Sequence, residues 1–120
     1  MRVGLGDRWR NTVVAVVSEF GRAVKPNGSN GTDHGAGGLA FLLGGAVAGG
    51  KIRGEWPGLS LSDRYEGRDL RPTGDLRELF AGLLLEHLRL PEQAVAAAFP
   101  EIKTPMSGLV RVQRSEAVNL

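Results

Sequence analysis

The sequence TVVAVVSEFGR, residues 12–22, contains the strongest strand signal of the chain. An apolar run in it is followed directly by polar residues. Residues 13–17 are all apolar and four of them are β-branched valines, which predicts a β-strand. No polar residue alternates with them, so both faces of the strand are predicted to be buried, as in a parallel sheet covered by helices. Ligands of open α/β sheets gather beyond the carboxyl ends of strands, and Glu19 stands at that position.

The residues after this strand are rich in glycine. The chain has 18 glycines in 120 residues, and 12 of them lie between Gly21 and Gly58. Residues 21–38 are predicted to form one long loop, and loops above roughly 12–15 residues in compact domains are often functional. The path of the backbone is therefore predicted to shape this region.

The remaining elements are predicted from hydrophobic spacing and from helix start and stop signals. Short strands are predicted at 39–45 and 51–53. Leucines at three- and four-residue spacing predict a long amphipathic helix over 73–90, with Thr73 as its N-cap. A shorter helix is predicted to open on Pro91. Residues 1–100 are thus interpreted as part of an α/β domain, and residues 101–120 as an irregular tail.

Composition excludes several classes of function. The chain has no cysteine, which excludes disulfides and thiolate metal sites. Its 15 basic and 13 acidic residues are not segregated, so no nucleic-acid partner is expected. No apolar run approaches the roughly 20 residues that span a bilayer, so no membrane partner is expected either. Gly45–Lys51 fits the spacing of a phosphate loop, but Ile52 replaces the required Ser or Thr, so nucleotide binding is not expected.

Four polar residues near the predicted strand end are candidates for chemistry. Asp33 and His34 can converge on one ion if the glycines beside them let the backbone turn, and carboxylate plus imidazole suits zinc, manganese or iron better than calcium. The alternative is an Asx-type turn with a solvated His34. Glu19 can serve as a ligand or a base, or it can form an ion pair with Arg22. The Arg22 guanidinium could otherwise clamp an oxyanion.

Three segments resemble the C-terminal part of a bacterial family, the DUF1501 family. They are VVAVVSEFGR at 13–22, a glycine-rich stretch that contains TDHGAGG at 30–59, and DLRELFAGLLLEHL at 75–88. The resemblance covers roughly residues 6–100. It implies a relationship to the alkaline phosphatase and sulfatase superfamily, and hence the C-terminal segment of an α/β/α sandwich with few strands and one long helix.

The resemblance also implies roles for the candidate residues. In that superfamily, carboxylates and histidines bind one or two divalent ions, and an earlier part of the chain supplies the nucleophile that attacks a phosphate or sulfate ester. When these family roles are applied to the matching positions of this sequence, the implied ligands for zinc or manganese are Glu19, Asp33 and His34. Arg22 becomes a catalytic, charge-stabilising group. Ala36 stands where similar family members often have a second histidine.

The resemblance leads to two functional expectations. Family members run to several hundred residues and often begin with a twin-arginine export signal, whereas this chain shows no signal that assigns its location. The first expectation is a fragment or truncated member of a metal-dependent phosphatase-like or sulfatase-like hydrolase family, inactive alone, whose partner is the N-terminal part of the domain. The alternative is a noncatalytic interaction protein that forms a homo- or hetero-oligomer through an unpaired strand and helix.

Overall fold

The computed structural model describes residues 1–112 and has a mixed α/β architecture. Its elements are short, and its strands form two separate antiparallel pairs. The helices are α1 (Arg2–Leu5), α2 (Leu76–Glu86) and α3 (Glu92–Ala98), the strands are β1 (Val14–Val16), β2 (Gly21–Pro26), β3 (Thr32–Gly35) and β4 (Phe41–Leu43), and two 3-10 helices cover Gly6–Asn11 and Leu61–Asp63.

The predicted apolar strand forms as β1, but its environment differs from the prediction. β1 pairs antiparallel with β4, which confirms the short strand predicted at 39–45. Val16 lies opposite Phe41, and these side chains are 47% and 56% exposed. The prediction that both faces of β1 are buried in a parallel sheet is therefore wrong, because within residues 1–112 no third strand joins the pair and no helix covers it.

Residues 21–38 are not the single long loop that their composition predicted. They contain β2 and β3, which form an antiparallel hairpin with Gly21 opposite Gly35 and Arg22 opposite His34. The register shifts between Arg22 and Pro26, so the strand is irregular toward the hairpin tip. The loop prediction failed because glycine is depleted in strands on average, whereas here it allows neighbouring backbones to approach closely.

A third segment, residues 65–70, lies against the hairpin. The Leu70 amide donates to the Arg22 carbonyl at 3.1 Å, and the Gly37 amide donates to the Leu70 carbonyl at 2.8 Å. A Cβ on Gly37 would overlap that carbonyl group, and a Cβ on Gly21 would overlap the Gly37 backbone. The prediction that backbone packing shapes the glycine-rich region is confirmed at these positions.

The long predicted helix forms as α2 but is shorter than 73–90. Its N-cap is Asp75, whose carboxylate accepts from the Arg77 amide at 2.8 Å. Thr73 is not the cap, because its hydroxyl donates to the Glu55 carbonyl at 3.0 Å instead. The second helix, α3, forms as predicted, although Pro91 precedes its first turn instead of belonging to it.

The last described segment packs against α2. Glu86 holds it through three consecutive backbone amides, with distances of 2.5 Å from Gly108, 2.8 Å from Leu109 and 3.2 Å from Val110. Val110 also forms a β-bridge with Val47. The buried apolar residues among 1–112 are Ala23, Ala46, Val47, Leu79, Ala81, Val95 and Leu109.

Two further predictions for irregular parts of the chain have different outcomes. Residues 51–53 do not form the predicted strand, and Ile52 is fully exposed because no other strand lies beside it to complete a sheet. Residues 101–112 contain no helix or multi-residue strand, in agreement with an irregular tail, although they contact α2 as described above. The rest of the predicted tail, 113–120, lies outside the described residues.

We predict that Gly82→Ala destabilises the fold by about 1–3 kcal/mol, although alanine is favoured over glycine in helices by about 1 kcal/mol. A Cβ at this position would overlap the Met106 carbonyl oxygen and lie 2.9 Å from Leu109 Cδ1. Urea unfolding followed by circular dichroism measures the change. Gly74→Ala is the control, since nothing lies within 4 Å of its added Cβ. Equal stability of both variants would show that α2 does not pack this closely on residues 106–109.

Candidate functional site

The hairpin places two of the four candidate residues on one face. Arg22 and His34 are directly opposed across β2 and β3, and directly opposed side chains of an antiparallel pair lie on the same face. Asp33 is the neighbour of His34 within β3, and successive side chains of a strand point to opposite faces. The backbone at Asp33 and His34 is extended, so it does not make the local turn that would bring both side chains onto one ion.

Asp33 contributes to the hairpin tip. Its Oδ1 accepts a hydrogen bond from Asn27 Nδ2 at 2.9 Å. Asn27 Oδ1 in turn accepts from the amides of Ser29 and Gly31, each at 3.0 Å. The tip is thus an Asx-type turn, but it is organised by Asn27 and not by Asp33. The sequence NGSNG at 27–31 carried this turn signal, and the long-loop prediction missed it.

His34 and Glu19 are both exposed, but they differ in their contacts. The His34 ring lies against the Phe20 ring with centroids 5.8 Å apart, and the His34 carbonyl accepts from Arg68 Nη2 at 2.8 Å. Glu19 follows β1 and takes part in none of the hydrogen bonds or ion pairs found within residues 1–112. The proposed alternative of a Glu19–Arg22 ion pair is therefore not observed there.

An ion pair between Arg68 and Asp69 lies beside the hairpin. No sequence pattern predicted it. Arg68 Nε donates to Asp69 Oδ1 at 2.6 Å, and the Ala36 amide donates to Asp69 Oδ2 at 3.0 Å. The Asp69 side chain is only 14% exposed. Its pKa is lowered, mainly by the Arg68 hydrogen bond and also by the Ala36 amide, against an opposing effect of burial. Asp69 and Ala36 are 33 residues apart, so no local sequence signal could have joined them.

The candidate ligands do not make a complete metal site by themselves. Across residues 1–112, no three His, Asp or Glu side chains come together in a group that could hold a metal ion. The donor set at the hairpin is one imidazole on one face and one carboxylate on the other, so it does not fit a preformed zinc or manganese site. The metal-ligand roles of Glu19, Asp33 and His34 stay predictions.

Comparison with known proteins identifies the family. A family model described as "Protein of unknown function (DUF1501)" matches residues 3–98. The chain belongs to this family. No curated protein and no solved structure matches the DUF1501 chain. Within its described residues, no helix has the length and apolar character needed to cross a bilayer.

We predict that Asp69→Asn makes the DUF1501 chain less stable at pH 6 and reduces its loss of stability in acid. A carboxyl group whose pKa is lowered in the folded state stabilises the fold above its unfolded pKa of about 3.9, and this contribution is lost as pH falls through the folded pKa. Asp75, whose pKa is lowered mainly by Arg77, supplies acid dependence that both proteins keep.

Urea unfolding at pH 6, 4.5 and 3 tests this prediction. Asp7→Asn is the control, because the Asp7 side chain is 98% exposed and lies 3.6 Å from Arg10 in an exposed pair. We expect the control to follow the parent chain at all three pH values. Identical pH profiles for Asp69→Asn and the parent would show that the Asp69 contacts do not stabilise the fold.

Proposed function

We propose that this DUF1501 chain is a structural segment of a larger α/β body and is not an enzyme by itself. The observation that supports this proposal is the amount of exposed surface. The accessible surface is 9375 Å², whereas a compact monomer of 12.8 kDa exposes roughly 6,300 Å². The difference is roughly 3,000 Å², whereas any eight residues of a fully extended chain expose only roughly 1,200 Å², so the residues beyond 112 could not account for it.

A large radius of gyration and a small apolar core are both consistent with the excess of accessible surface. The radius of gyration is 18.0 Å, compared with roughly 13.6 Å for a compact domain of this length. The buried apolar residues among 1–112 are three alanines, two valines and two leucines, with no aromatic residue. Such a core is small for the chain that it must hold together, so additional packing partners would add substantial stability.

The β1–β4 pair is the surface that additional polypeptide would cover. Val16, Phe41 and Leu43 are exposed on one face, and Ala15 is exposed on the other. A two-stranded pair is marginally stable in water unless further strands or a helix cover its apolar surface. Further strands beside β1 and β4 would build the larger sheet of the sandwich that the family resemblance implies.

The same proposal accounts for the incomplete candidate site. Hydrolysis of a phosphate or sulfate ester would require a nucleophile and further ligands from polypeptide outside this chain. Arg22 and His34 share an open face of the hairpin, and Glu19 is free to contact such a neighbour. In this proposal Glu19 and His34 contribute ligands for zinc or manganese to a composite site, and Arg22 contributes positive charge on the face that it shares with His34. Asp33 lies on the opposite face of β3, so its proposed role as a ligand would require a separate contact with the added polypeptide.

Assays of the isolated chain test the proposal that it is catalytically incomplete. We expect no hydrolysis of p-nitrophenyl phosphate or p-nitrophenyl sulfate above buffer with zinc or manganese present. We also expect no stoichiometric zinc binding at submicromolar concentration by isothermal titration calorimetry. Chelator-sensitive turnover, or tight zinc binding that Asp33→Asn and His34→Ala remove, would show that a complete site already exists here.

A second copy of the chain is the alternative occupant of the β1–β4 surface, since unpaired strands favour self-association. Sedimentation velocity and binding of the dye 8-anilinonaphthalene-1-sulfonate distinguish a second copy from other polypeptide as the occupant of this surface. For the main proposal we expect a monomer that binds the dye, and we expect Phe41→Lys to reduce dye binding. Ile52→Lys is the control and should leave dye binding unchanged, because Ile52 is exposed but lies outside the β1–β4 pair. A dimer that only Phe41→Lys dissociates supports the alternative. A monomer that binds no dye contradicts both.

A further inference from the structure

A cleft at the C-terminal end of α2 has three arginines in its lining. It has a volume of about 550 Å³ and lies between that helix end, the first 3-10 helix and residues 110–112. Arginines at positions 10, 89 and 111 line it, together with His87 and Glu86. The cleft shares no lining residue with the hairpin candidates, so it is a separate feature of the chain.

The charge of this cleft is not neutralised by the described residues that line it. Within residues 1–112, Glu86 is the only carboxylate in the lining, and it accepts hydrogen bonds from the backbone amides of residues 108–110. Among residues 1–112, neither Arg89 nor Arg111 forms an ion pair. Arg10 lies 3.6 Å from Asp7 in an exposed pair, which contributes little. The described residues of the cleft, three arginines and one glutamate, therefore carry a net positive charge.

Arg111 is held in position before any ligand arrives. Its amide donates to the Ala46 carbonyl at 2.7 Å, and its Nε donates to the Val47 carbonyl at 3.0 Å. The terminal guanidinium nitrogens have no hydrogen-bond partner among the described residues. A fixed guanidinium with free terminal donors suits the paired oxygens of a phosphate or sulfate group. Less ordering is required on binding because the side chain is already anchored.

Arg89 occupies a backbone conformation that favours glycine. Its φ is 54°, and it follows the end of α2, where a residue in the left-handed region is usually glycine. An L side chain at such a φ is strained, and strained residues cluster at ligand sites. The arginine side chain is thus placed at the cleft at a cost to the local backbone. Glycine at this position would relieve the strain and remove the charge together.

We propose that this cleft binds a small doubly charged oxyanion, namely a phosphate or sulfate group, through Arg89, Arg111 and Arg10. The volume exceeds that of the bare ion, so the cleft also has room for the organic part of a small ester. This binding does not depend on the composite hydrolase site proposed above, since the two surfaces share no residue.

Titration of the full 120-residue chain with inorganic phosphate at constant ionic strength tests this proposal. Isothermal titration calorimetry gives the affinity, and parallel titrations use sulfate, phenyl phosphate and acetate. We expect saturable phosphate and sulfate binding, and much weaker acetate binding. Tighter binding of phenyl phosphate than of phosphate identifies an ester as the ligand, and equal affinities identify the inorganic ion. Both results support the oxyanion site.

Arg89→Gly is the decisive variant because it relieves backbone strain instead of adding it. We expect phosphate affinity to fall by about tenfold or more, as the loss of a charge-assisted hydrogen bond implies, with a melting temperature equal to or above that of the parent. Arg111→Gln is expected to weaken binding similarly. Lys51→Gln, an exposed cation outside the cleft, is the control and should change affinity less than twofold.

Three results would overturn the proposal. The first is the absence of saturable phosphate binding by the parent chain. The second is an affinity that Arg89→Gly leaves unchanged while the fold is intact by circular dichroism. The third is an equal loss of affinity in Lys51→Gln and Arg89→Gly, which would show that phosphate responds only to net charge.

Discussion

Close approach of one backbone to another through glycine is the constraint on which the rest of this structure depends. Gly21 lets β2 lie against Gly37, Gly37 lies against residues 70–71, and Gly82 lets α2 lie against Met106. Gly44 and Gly45 similarly allow contact with residues 9–13. In each case a Cβ would overlap neighbouring backbone atoms. Contacts of this kind fix the path of the chain through hydrogen bonds, but they bury few large side chains.

This constraint explains why the molecule has a defined path and yet a small core. Hydrogen bonds such as those from Gly37 to Leu70 and from residues 108–110 to Glu86 position the segments. Each contributes about 1 kcal/mol net, or about 1.5–3 kcal/mol where a charged group takes part. Burial of apolar side chains is the larger source of stability in most domains. Here Val16 and Phe41 of the β1–β4 pair are exposed, so that source of stability is only partly used by the described residues.

The two functional proposals follow from different parts of this arrangement. At the hairpin, the extended backbone places the Asp33 and His34 side chains on opposite faces, so the proposed metal site draws further ligands from a neighbour. At the end of α2, three arginines line one cleft, and within residues 1–112 Glu86 is the only carboxylate in its lining. The first proposal therefore depends on added polypeptide, whereas the second depends on residues of this chain.

Sequence patterns predicted the family, the positions of β1, β4, α2 and α3, and the importance of glycine in 21–58. These features depend on hydrophobic periodicity, on helix start and stop signals and on short motifs. Each of these is a pattern among residues that are close together in the sequence. Long-range packing fixed the position of residues 65–70 against the hairpin, the contact of Asp69 with Ala36, and the bond from Thr73 to Glu55 that leaves the cap of α2 to Asp75. It also decided that β1 is exposed and that arginines 10, 89 and 111 share a cleft. These outcomes depend on contacts between residues far apart in the chain, and local sequence patterns do not encode such contacts.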